Sequence, residues 1–458
     1  MASIALGQMR RRPPAFAGLA VALLLAVATL TLFGSLVAAD ATAPPGEGRA
    51  ADGPGLMLIA GAFGEIAVLV AFFVVVNTLG FALRQQYREL ALLRTIAATP
   101  RQARRMVRGQ VVATTLLVAA PGWAVGWAAA RRFLAELQRR GLAAPEVRVP
   151  GTPVATVVAP VALAAVLAVG LAATAVAARR ISRIAPAAAL TASTTEHGRT
   201  GAVRLVAGAG VLVGGGLLLR LTATRTPEEA DKAGQATLLG SLVLLVAVAL
   251  LGPLAARVLA AALGAPVRAL APGAGWLADA NLRGYARRLS SAVVPVALLA
   301  GLSGTMSIMT STAEHAATAA TTGATSATDV WLRQAELALL ACFAAVSTVN
   351  TLVAVTADRR REFALLRLVG ATRAQLMRML TAEAVLTTVV GVLLGAAVAA
   401  TATAAFSTAL TGSPLPHVRP ADCAWIVAGA AALTVPGILA TGLRAVRGPA
   451  AEAAGGRD

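Results

Sequence analysis

The chain has 458 residues, 57% of them hydrophobic and 13% charged, with a formal net charge of +19. A soluble domain carries about a quarter charged residues, so this composition, with a mean hydropathy of +0.75, excludes an ordinary soluble enzyme. The positive charge is expected beside membrane helices rather than on nucleic acid, because the basic residues cluster between apolar runs.

Apolar runs of 18 or more residues are long enough to cross a bilayer as helices. Ten such spans are predicted, at 16–38, 60–84, 110–130, 152–177, 203–221, 236–262, 290–311, 335–356, 380–405 and 423–443. Arg10, Arg11 and Arg12 precede the first run, which is read as a retained span because it lacks a short apolar core and cleavage site. With the amino terminus in the cytoplasm, inside segments hold 29 of the 40 basic residues. Both termini are therefore expected inside and the protein in the plasma membrane. Segment 131–148, with five Arg on the outside, runs against this pattern. The longest outside segments, about 40–59, 131–151 and 312–334, leave no room for a folded outer domain, and two of them carry small-residue linkers. Lys232 is the sole lysine, and the Arg bias points to a GC-rich genome such as an actinobacterium's. Cys342 and Cys423 fall in or beside spans and read as small apolar residues.

Residues 77–110 align without a gap on 350–383, a shift of 273, with 14 identities in 34 positions. "YRELALLRTIAATPRQARRMVRGQ" and "RREFALLRLVGATRAQLMRMLTAE" lie inside this alignment. A similar shift lays the first span on the seventh. The fold class is therefore all-α and polytopic, with two four-helix repeats in the same orientation and two linking helices. Two parallel repeats imply a pseudo-two-fold axis along the membrane normal. The expected division is 1–191, 192–275 for the linking helices, and 276–458.

The repeated segment reads as a short helix, a turn and a second helix at the cytosolic face. Phe363, Leu366 and Val369, widened by Leu365 and Leu368, have helical spacing. Gly370 supplies a stop that tolerates positive φ. Thr372 with Gln375, and Thr99 with Gln102, have the spacing of a capping box; Pro100 takes the favoured first helical position. Ala97 stands where the second copy has Gly370. Glu362 and Arg367, like Glu89 and Arg94, are five apart, which suits no helical pair. They are expected to be free for headgroups, other loops or a partner. A generic basic anchor needs only Arg, whereas both sites share Glu, a Leu-Leu pair and a cap. That duplication predicts docking of a two-fold partner.

These segments resemble the signature of FtsX-like ABC permeases, the group that includes MacB-type exporters and BceB-type ten-span permeases. "LADANLRGYARRLSSAVVPVALL" at 277–299 resembles the family's entry to a span, and Pro186 and Pro449 resemble the ends of its repeats. The large outer domains of many members are absent. The resemblance implies that 87–108 and 360–381 couple to two copies of a cytoplasmic ATPase. The implied coupling residues are Arg88, Glu89, Leu92, Leu93, Arg94, Thr99 and Gln102, and Arg361, Glu362, Leu365, Leu366, Arg367, Gly370, Thr372 and Gln375.

The chain itself is expected to bind no cofactor. Lys232 lies in "EEADKAGQA" with no glycine loop before it, so it forms no P-loop, and ATP with its Mg is expected on the partner. His197, His315 and His417 are scattered in loops without metal spacing. Glu65 and Glu336 precede apolar runs, and Asn77 and Asn350 lie inside them. The Glu pair suits the interface or an outer gate, and the Asn pair helix packing or substrate contact. Prolines at 121, 160, 253, 295 and 436 are expected to kink their helices.

The function expected is a non-catalytic permease subunit of an ATP-driven exporter of a hydrophobic or amphipathic drug, peptide or lipid. A non-transporting signalling subunit and an ion-coupled secondary transporter are the alternatives. The second would want charged residues near mid-membrane, and almost none are present.

Overall fold

The computed structural model describes residues 13–43, 55–85, 99–149, 152–181, 202–270, 286–319, 327–357 and 360–446. Among them are eleven α-helices and no strand. They are α1 (Pro13–Ala41), α2 (Leu56–Gln85), α3 (Pro100–Arg139), α4 (Thr152–Ile181), α5 (Ala202–Ala223), α6 (Ala230–Leu270), α7 (Ala286–Ala319), α8 (Ala327–Ala357), α9 (Arg360–Leu368), α10 (Arg373–Thr411) and α11 (Pro420–Val446). Hydrocarbon offers the backbone no hydrogen bonds, so apolar segments of this length close their own as helices. The chain is an all-α polytopic membrane protein.

Each predicted span falls within one helix. Eight helices contain a stretch long and apolar enough to cross a membrane. In α4 and α8 the apolar stretch is shorter, Val157–Ala172 and Ala341–Thr351. The first turns of α8 carry Asp329, Arg333 and Glu336, which breaks its run.

The chain divides into two compact units, Met1–Thr194 and Thr195–Asp458. In the first, α1 packs on α2 and α3, and α4 closes against all three. Phe33, Phe63 and Phe133 join α1, α2 and α3, with ring centroids 5.6 to 6.4 Å apart. The five Arg of 131–148 are partly absorbed locally. Arg131 lies over the Trp127 ring at 4.9 Å, and Arg139 and Arg140 both pair with Glu136. Three of the segment's five cations thus have partners within one turn.

In the second unit α7 is central, with 89% of its span buried, against α10, α6, α8 and α11. The linking helices α5 and α6 pack inside this unit. Pro253 has no N–H to give the carbonyl of Ala249, four residues earlier. Arg204 of α5 donates instead, from Nη2 to Ala249 O at 2.9 Å and from Nε to Leu250 O at 2.8 Å.

Close helix crossings recur at the same shift in the two units. A Cβ added at Gly122 of α3 would sit 2.9 Å from Val27 Cβ and 3.2 Å from Leu24 O of α1. Added at Gly395 of α10, it would sit 2.8 Å from Ala300 Cβ and 2.8 Å from Ala297 O of α7. Each residue of the second set is 273 positions after its counterpart. One turn further on, the small residue changes sides. A Cβ at Gly126 would sit 2.3 Å from Ala28 O and 2.8 Å from Thr31 Cβ in the first unit; in the second, a Cβ at Gly304 would sit 3.1 Å from Ala399 Cβ.

Candidate functional site

The second repeated segment is α9, its turn and the start of α10. Chain order already places Glu362 in the first turn of α9 and Arg367 in the last, where each charge complements the helix dipole. The turn that follows is a Schellman motif. Gly370 N donates to Arg367 O at 3.1 Å and Ala371 N to Leu366 O at 2.9 Å. Gly370 has φ +105°, and a Cβ there would meet nothing within 4 Å. Glycine is therefore required by the backbone angle and not by crowding.

Thr372 then caps α10. Its Oγ1 accepts from Gln375 N at 3.2 Å, while Thr372 N donates to Gln375 Oε1 at 2.9 Å. The first copy repeats this box before α3. Thr99 Oγ1 accepts from Gln102 N at 3.3 Å, and Thr99 N donates to Gln102 Oε1 at 2.8 Å. Two turns on, buried Gln110 and Glu383 occupy matching positions. Beside them Thr114 and Thr387 return their hydroxyls to the Gln110 and Glu383 carbonyls, at 2.8 and 2.7 Å.

Packing separates the apolar residues of α9 differently from the expectation of one continuous face. Phe363 is 1% exposed. It is buried with Ala292 of α7, Leu376, Met379 and Leu380 of α10, and Ile438 of α11, and Leu366 packs against the same cluster. Leu365, Leu368 and Val369 point the other way, 50%, 57% and 88% exposed. They lie three and four residues apart and so share one face. Val369 therefore belongs to the outer strip, because Phe363 and Leu366 take the side of α9 that faces α7, α10 and α11. The charges differ from expectation as well. Glu362 and Arg367 are half-buried, and neither lacks a partner in the fold.

Arg88, Glu89, Leu92, Leu93 and Arg94 lie outside the described residues, as do the side chains of Arg361, Asn77 and Glu336. Glu65 is exposed, nine residues into α2, and Asn350 is half-buried in α8 and partnered. Cys342 and Cys423 are free thiols. Among the described residues no group of His, Cys, Asp or Glu could hold a metal ion.

Two histidines that the sequence leaves scattered do meet. His315 at the end of α7 stacks on His417 in the loop before α11. Arg419 pairs with Glu314 at 2.5 Å, Ser311 Oγ donates to His417 O at 2.5 Å, and His417 N donates to Thr312 Oγ1 at 3.1 Å. No local spacing signals this clasp, since its two sides are about a hundred residues apart.

The family model of the FtsX-like permease C-terminal domain matches the chain twice, over residues 61–186 and 335–450. Together the matches span more than half of the chain, and each begins within the second helix of a repeat. No curated protein matches the sequence.

Proposed function

Because the chain belongs to the FtsX-like permease family, whose members are membrane subunits that work with a cytoplasmic ATPase, we propose that it is the permease of an ATP-binding-cassette exporter. It docks two copies of that ATPase through 87–108 and 360–381, with both termini in the cytoplasm. The cargo is a hydrophobic or amphipathic compound, and nucleotide chemistry belongs to the partner.

The observation that carries this reading is the division of α9. Its outer strip of Leu365, Leu368 and Val369 is exposed and contiguous on one helix face, and apolar surface rimmed by polar residues is the pattern of a protein contact. Its inner residue Phe363 is locked among α7, α10 and α11. A push on the strip would therefore reach three spans through one side chain. The Schellman turn and the capping box make the joint between α9 and α10 short and stiff.

The test is co-purification of the full chain with candidate cytoplasmic ATPases from the same genome. Two ATPases per wild-type chain are expected. The triple variant Leu365→Ser, Leu368→Ser, Val369→Ser should lose one site while its thermal unfolding stays unchanged. ATPases that bind this variant equally well, or that do not bind the wild type, would overturn the reading.

A further inference from the structure

In the second unit, α5, α6 and α10 leave a groove of about 550 Å³. It is within the range of about 300–1,000 Å³ usual for small-molecule sites. Leu212, Gly216, Leu244, Leu394 and Val398 are among its walls, and Arg220 supplies its charge. The only hydroxyl in the lining, Thr401 Oγ1, is returned to its own helix at Ala397 O, 2.9 Å away. Among the described residues no carboxylate lines the groove.

The two arginines of α5 differ in use. Arg204 is spent on the Ala249 carbonyl freed by Pro253 and on the adjacent Leu250 carbonyl. Arg220 is exposed and, among the described residues, has no hydrogen-bond or ion-pair partner. The nearby cations of the following loop are not in that position. Lys232 and Arg225 both bind Glu229, and the hydrogen bond from Lys232, then the charge of Arg225, hold that carboxyl below its ordinary range. Arg220 sits in the last turn of α5, at the polar end of a membrane helix. A guanidinium there needs an anion, and its planar fork matches a phosphate.

The dimensions select the rest of the ligand. From Leu394 to Ala405 the wall runs eleven residues, roughly 16 Å at 1.5 Å per residue. Half of a hydrocarbon core about 30 Å thick is the same length. A cation at one end and one leaflet's depth of apolar wall describe an amphiphile lying along the helices.

We propose that this groove is a binding site for an anionic phospholipid of the bilayer, its phosphate on Arg220 and one acyl chain along α5 and α10. The site does not depend on the ATPase reading. It gives the linking helices a role of their own, as one wall of a lipid site built onto the second repeat.

The experiment is native mass spectrometry of the full chain in detergent, titrated with palmitoyl-oleoyl phosphatidylglycerol. Gly216→Leu fills the groove from a position where a Cβ meets nothing within 4 Å; Gly214→Leu is equally unhindered and does not line it. Arg220→Gln and Gly216→Leu are each expected to weaken the tightest lipid site about tenfold, the value of a charge-assisted contact. Gly214→Leu should bind as wild type, and inorganic phosphate at the same concentration should not compete. Unchanged binding in both Arg220→Gln and Gly216→Leu would overturn the site. Loss in Arg220→Gln alone, or competition by inorganic phosphate, would overturn the lipid assignment and leave an anion contact.

Discussion

His315 and His417 lie face to face, with ring centroids 4.4 Å apart and planes 6° from parallel. Both rings are exposed, so the contact works at the surface of the second unit. It sits beside the Glu314–Arg419 pair, the bond from Ser311 Oγ to His417 O and the bond from His417 N to Thr312 Oγ1. Because the rings are wet, a double-mutant cycle of His315→Ala and His417→Ala should give a coupling of about 0.5 kcal/mol, the lower end for aromatic pairs. Thermal unfolding of the solubilised protein measures it. Zero coupling would assign the clasp to its backbone bonds and ion pair alone.

The inner and outer faces of α9 should respond oppositely. Phe363→Ala empties a position buried among three helices and should cost about 3–5 kcal/mol of stability. Leu368→Ser removes an exposed side chain and should change stability by no more than about 0.5 kcal/mol. Unfolding midpoints of the two variants make the comparison. Equal losses would show that the outer strip is packed in solution.

Arg204 and Pro253 should be coupled. In the wild type, Arg204→Ala strands the Ala249 carbonyl, and a lost bond to a charged group costs about 1.5–3 kcal/mol. Pro253→Ala returns an N–H to Ala249 O, so Arg204→Ala should cost clearly less in that background. Equal costs with and without the proline would mean that the guanidinium is not there for the freed carbonyl.

Glycines should divide by what lies over them. Gly395→Ala drives a Cβ to 2.8 Å from Ala297 O, a backbone atom that moves only with its helix. A cost of about 1–3 kcal/mol is expected for such overpacking. Gly214→Ala meets nothing within 4 Å and should be neutral or stabilising by up to about 1 kcal/mol, since alanine is the better helix former. The same ranking in thermal unfolding is the check. An undisturbed Gly395→Ala would show that α7 and α10 can separate freely.

The features readable from sequence were those written in neighbouring residues. Thr99 with Gln102, Thr372 with Gln375, and Gly370 act over three or four positions, so their spacing alone foretold the caps and the turn. The orientation of α9 was not readable in that way. A nine-residue helix has apolar side chains on both sides, and which side is buried depends on where α10 and α11 lie. Glu362 and Arg367 were expected to be free because they are spaced too far apart to pair with each other. That rule excludes one partner and says nothing about those that the fold brings from elsewhere. The His315–His417 contact had no local signal at all, and Arg220 differs from Arg204 only in what the folded helices offer each of them.

The glycine that changes sides between Gly126 and Gly304 also limits exchange of parts between the halves. Each half keeps one small residue at this crossing, but on opposite helices. A hybrid joining α1 to α10 would set Thr31 against Ala399, with no glycine at that level of the crossing. The reciprocal hybrid, α7 with α3, would set Gly304 against Gly126 and leave a gap. The two copies have thus become like gloves of one pattern cut for different hands: interchangeable as matched pairs of helices, and mismatched one helix at a time.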